Sequence, residues 1–166
     1  MNHNFNFSLW HEEDIARVDS HGAERIRLAK RNIDKYNQQR NDAMETMDDH
    51  LFSFIAPQMR IEETPMHTET PGMIVDRLSI ICLKHYHMEE ETTRSSASES
   101  HRGACAKKLA VLGQQLFDLN DALQKLMADV LAGKRHFRKY RQMKMYNDPQ
   151  LNPQLYTGLT TLPAAN

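Results

Sequence analysis

The sequence predicts an all-α protein, an antiparallel helical bundle of about four main helices with an irregular C-terminal tail. Apolar residues recur at alternating three- and four-residue steps over long stretches, the spacing that holds one face of a helix. The prolines fall between or beyond those stretches, where a missing backbone donor does no harm. No segment shows the strict alternation of a half-buried strand, so nothing in the chain reads as a sheet.

Taken in order, Phe5, Phe7, Leu9 and Trp10 form a short apolar patch. The acids Glu12, Glu13 and Asp14 follow, as in the first turns of a helix, with Glu13 and Arg17 spaced for a surface pair. Asp19, Ser20 and Gly22 break the pattern and offer a cap for the next helix. That helix, Ile26 to Phe54, is the longest, with Ile26, Ala29, Ile33, Tyr36, Met44, Met47, Leu51 and Phe54 on one seam. After Ile55, Pro57, Pro65 and Pro71 mark an ordered connection. A third helix starts at Pro71, tolerated in a first turn, and runs to about Glu91. Its seam of Ile74, Leu78, Ile81, His85 and Met88 is flanked by Val75, Ile80, Cys82 and Leu83, so it should be central and buried. Residues 92–102, rich in Ser and Thr, read as a flexible loop. The fourth helix carries an unbroken seam of Leu109, Leu112, Leu116, Leu119, Leu123, Leu126 and Val130. Gly133 offers its stop, and residues 148–166 form the irregular tail.

At 166 residues the chain suits one domain spanning 1–166. A formal net charge of -1 gives no global field for nucleic acid or an anionic membrane. Cys82 and Cys105 are the only cysteines; Cys82 falls in an apolar run, and a reducing cytoplasm is the simpler setting. The first residues lack the pattern of an export leader, and no apolar run is long enough to span a bilayer.

The segments LWHEEDIAR, NIDKYNQQRND, ETPGMIVDRLSIICLKHYHMEE and YRQMKMYNDPQLNPQLY together resemble a bacterial family catalogued only as a domain of unknown function. The resemblance implies a helical protein and assigns no catalytic residue. The chain begins nearer the WHEED segment than that family's pattern, which implies a shorter first helix.

One residue stands out in the long helix. Arg40 sits where its seam asks for a core residue, and an unpaired charge there would cost several kcal/mol, so an anion, a carboxylate or water must lie beside it. Asn37, Asn41, Lys84 and Lys144 are its candidate partners in binding a small polar or anionic ligand. His11, Glu12, Asp34, Asp76 and His87 are the candidate acids and bases if the protein is an enzyme. The rival is a non-enzymatic interaction or scaffold module whose polar residues only fix helix register.

No cofactor is expected, because the Glu-x-x-His pairs of di-iron bundles are missing. The alternative is magnesium on Glu45 and Asp48, three apart, which resemble the Glu-x-x-Asp element of all-α nucleotide pyrophosphohydrolases. The basic run Lys134 to Lys144 could grip a nucleic-acid backbone, but neutral overall charge disfavours it. A homo-oligomer stays open as a partner.

Overall fold

The computed structural model describes residues 1–143, 148 and 150–153. Four helices dominate: α1 (Asn2–Ile15), α2 (Gly22–Ile55), α3 (Pro71–Thr93) and α4 (Glu99–Leu131). Contacts between side chains fix their directions. Asn2 reaches the carbonyl of Arg40 while Glu12 reaches Arg25 and Asn32, so α1 and α2 are antiparallel. Asp48 meets Gly72 while Asp76 meets Asn2 and Asn6, so α3 runs against α2 and alongside α1. A five-residue connection, 94–98, then turns the chain back along α3 as α4. The central position expected of α3 is what results: it touches α1, α2 and α4, whereas α4 packs essentially on α3 alone.

Several boundaries differ from the sequence expectation, each for a local reason. Glu12, Glu13 and Asp14 lie in the last turns of α1, the end where acids oppose the helix dipole. Glu12 is compensated by α2, and Glu13 by Arg17 at 2.7 Å. Asp19 and Ser20 do not cap α2 but form a short 3-10 turn, and α2 begins at Gly22 without a side-chain cap. Most of the Ser- and Thr-rich run is helical, because Ser98 accepts the amide of His101 and starts α4 ten residues before its leucine seam. Phe54, expected in the core, is 75% exposed, and its neighbour Ile55 takes the buried place. Cys82 is likewise exposed rather than packed.

The chain is not free of strand. Met66–His67 (β1) and His136–Phe137 (β2) pair in parallel, a bridge too short for alternation to register in sequence. It forms because Gly133 ends α4 with φ +63°. The amide of Gly133 donates to Val130 and that of Lys134 to Asp129, the paired bonds of a Schellman stop. The chain then folds onto the 56–70 connection, where the His136 amide donates to the Pro65 carbonyl and its ring meets Thr64.

The core sits where these pieces converge: Ile55, Ile74, Leu126, Val130 and Phe137 are buried together, with Phe52, Leu78, Leu119 and Leu123 partly covered around them. Of the α4 seam, only Leu126 and Val130 are fully buried, since its earlier turns have one helical neighbour. The tail beyond residue 153 lies outside the described residues. Leu126→Ala should therefore cost about 2–5 kcal/mol in chemical denaturation, and Leu116→Ala distinctly less. Equal losses would contradict a core placed at this end of α4.

Candidate functional site

Asn2 and Asn6, one turn apart on α1, are buried, as are Asp76 and Ser79 on α3. Both amides donate to Asp76 Oδ1, at 2.9 and 3.0 Å. Asn6 also donates to Ser79 Oγ at 3.0 Å, and His3 Nδ1 lies 2.8 Å from that hydroxyl. A buried carboxylate is tolerated only with such donors. Arg40 approaches from α2, but its Nε stops 3.8 Å from the same Oδ1, too far for a hydrogen bond. Among the described residues that buried Nε has no hydrogen-bond partner. The compensating carboxylate anticipated for Arg40 is thus Asp76, and it is already taken by two amides.

Arg40 borders two clefts. One, about 440 Å³, is lined by Leu9, Trp10, Ile80 and Leu83 together with Arg17, Asn37 and Lys84; Glu13 and Asp14 stand at it too. The other, about 490 Å³ and more polar, holds Asn37, Asn41, Asp76 and Arg77. Arg40, Asn37, Asn41, Asp76 and Lys84 are therefore brought together around two adjoining spaces.

The remaining candidates lie apart. His11 is exposed and sits edge-on to Phe7. Glu12 accepts from Arg25 at 3.1 Å and Asn32 at 2.8 Å, tying α1 to α2. Asp34 pairs with Lys30 on the surface. His87 stacks on Trp10 at 4.6 Å and bonds Glu90 through Nδ1. Lys144 lies outside the described residues. The basic run before it is a strap rather than a free cationic face. Phe137 is fully buried, Lys139 pairs with Asp49 and lies over the Phe52 ring, and Arg141 bonds Glu45 and Asp49.

A family described as Protein of unknown function (DUF4254) has a model that matches residues 1–139. The chain belongs to that family. Comparison with curated proteins gave no match, and comparison with solved structures gave none either. In this DUF4254 chain no helix among the described residues is long and apolar enough to cross a membrane.

The two carboxylates weighed for magnesium serve different partners. Glu45 accepts from Arg141 and from the amide of Gln142. Asp48 is buried at the start of α3, where Oδ2 takes the Thr70 hydroxyl at 2.5 Å and Oδ1 the Gly72 amide at 2.7 Å. Thr70 in turn accepts from the Met73 amide as N-cap. A Cβ at position 72 would stand 2.7 Å from Asp48 Oδ1 and 2.8 Å from the Met44 carbonyl, so glycine is required by close approach. In the ETPG segment, then, threonine caps, proline opens the helix and glycine lets it touch α2.

Asn2, Asn6 and Ser79 escaped sequence reasoning because a polar residue on a buried face looks like an exposed one. The visible signal was the i, i+4, i+7 spacing of Asn2, Asn6 and Leu9.

Burial raises the Asp48 carboxyl above its ordinary range, against hydrogen bonds from Thr70 and Gly72 that pull it down. The folded state thus keeps this proton to higher pH than the unfolded chain. The contribution to stability is present below the unfolded pKa and is lost as pH rises through the folded one. Asp48→Asn cannot titrate. Its stability relative to the native chain should improve as pH rises from about 4 to 7, and a pH-independent difference in melting temperature would refute this.

Proposed function

We propose that the protein binds a small organic anion, a carboxylate or phosphate on an apolar body, in the cleft between α1, α2 and α3. One observation carries this: the Arg40 Nε is buried and lacks a hydrogen bond, with its nearest carboxylate oxygen already engaged. Leaving such a donor unmade is costly, and turning the guanidinium into the cleft, toward a ligand oxygen, would satisfy it. The planar guanidinium suits bidentate contact with either anion. Lys84 and Arg17 add positive charge at the rim, although Arg17 is shared with Glu13. Leu9, Trp10, Ile80 and Leu83 supply the apolar wall, and Asn37 an orienting amide.

Support is for binding rather than turnover. Asp76 and His87 border different spaces, while His11 and Asp34 border neither cleft at Arg40. Asp76 belongs to the network that sets the register of α1 on α3, and its loss should lower stability. We place this activity in a bacterial cytoplasm, in keeping with the family resemblance and the two free thiols.

Arg40→Lys keeps the charge but not the fork. It should melt close to the native protein and lose the stabilisation that millimolar phosphate or aromatic carboxylates give the native chain. Early melting of the variant, with no anion stabilising the native protein, would make Arg40 purely structural.

A further inference from the structure

Three side chains of different chemistry meet where α3 ends and α4 begins. His101 and Cys105 stand one turn apart on α4, and Glu91 faces them from the end of α3. Glu91 Oε2 lies 2.8 Å from His101 Nε2, and Cys105 Sγ lies 3.4 Å from that same nitrogen. The three ligand atoms are all within 4.8 Å of one another.

The shared nitrogen decides what this cluster can be. A nucleophilic relay needs the thiol on one ring nitrogen and the carboxylate on the other. Here both converge on Nε2, so the imidazole cannot pass a proton between them. A single N–H also cannot serve two acceptors well, whereas a cation in its place satisfies all three. Tetrahedral zinc with ordinary bond lengths puts nitrogen and sulfur about 3.5 Å apart, close to the separation present.

We propose that Glu91, His101 and Cys105 form a binding site for a thiophilic divalent metal ion of the zinc class, with water as fourth ligand. The mixed nitrogen, sulfur and carboxylate set favours such an ion over magnesium or calcium. Cys105 is buried, while His101 is exposed and gives solvent access. Glu91 now bonds Arg94 through the same oxygen, at 3.0 and 2.9 Å. That guanidinium competes with a metal ion for the carboxylate, and being exposed it can swing away. On loading, the thiol proton leaves to solvent, the imidazole proton on Nε2 is given up to solvent with the ring protonated instead on Nδ1, and the metal joins α3 to α4. This differs from the sequence expectation of no cofactor, which placed His101 in a loop and so hid its helical pairing with Cys105.

The test is anaerobic titration of the metal-free full chain with Co²⁺. Stoichiometric binding should bring a sulfur-to-cobalt charge-transfer band in the near ultraviolet, bleached by Zn²⁺. Cys82→Ser should keep the band and Cys105→Ser should lose it. His101→Ala, at an exposed position that leaves the fold intact by circular dichroism, should weaken Co²⁺ binding by at least about 100-fold. No band in the native chain, a band surviving Cys105→Ser, or unchanged affinity in His101→Ala would each overturn the assignment.

Discussion

A helix that begins inside a protein must find acceptors for its first amides, and in this fold α2 supplies one for α3. The Asp48 carboxylate takes the Gly72 amide and the Thr70 hydroxyl from within the core, at the positive end of the α3 dipole. Because Gly72 has no side chain, the two helices meet at backbone distance there. Everything placed along α3 follows from that contact. Asp76 is one turn on and so reaches α1, Ile74 points to the core, and α4 lies along the opposite side.

The polar interior then divides into two kinds of work. Asn2, Asn6, Ser79 and Asp76 satisfy one another, and a closed set of this type fixes the register of α1 against α3 more than it adds stability. Arg40 is adjacent to that set but not closed by it. A guanidinium that borders open space on both sides differs from the helix-to-helix pairs elsewhere on the surface, which are worth little each.

How much of this the sequence made legible depended on whether apolar residues marked the buried face. The long seams of α2, α3 and α4 did so, and the order and directions of the helices followed. α1 did not, because two of its buried positions are asparagines whose burial depends on a partner 70 or more residues away. The start of α4 was hidden for another reason: Ser98, a cap, sits in a run of residues that also favour loops. Arg40 was legible as an anomaly, since a charge interrupting an apolar seam is visible without a structure. That Asp76 would be its neighbour, already occupied, is a tertiary fact. The strap at 134–143 was not legible, because its anchor, Phe137, sits among cations and the acids that hold Lys139 and Arg141 lie far away in sequence, on α2.

The single-sided attachment of α4 gives the molecule a mechanical asymmetry. Its C-terminal end is clamped by Val130, Phe137 and the Schellman turn, while the other end rests on α3 only. Such a helix is a dependent: whatever loosens α3 uncovers the first turns of α4 as well, while the clamped end keeps Val130 and Phe137. The far end is tethered to α3 by the five-residue turn and by the Glu91–His101 contact. The two helices therefore stand or fall there as one hairpin, and an attachment that joins them at the tip adds to the local stability of both.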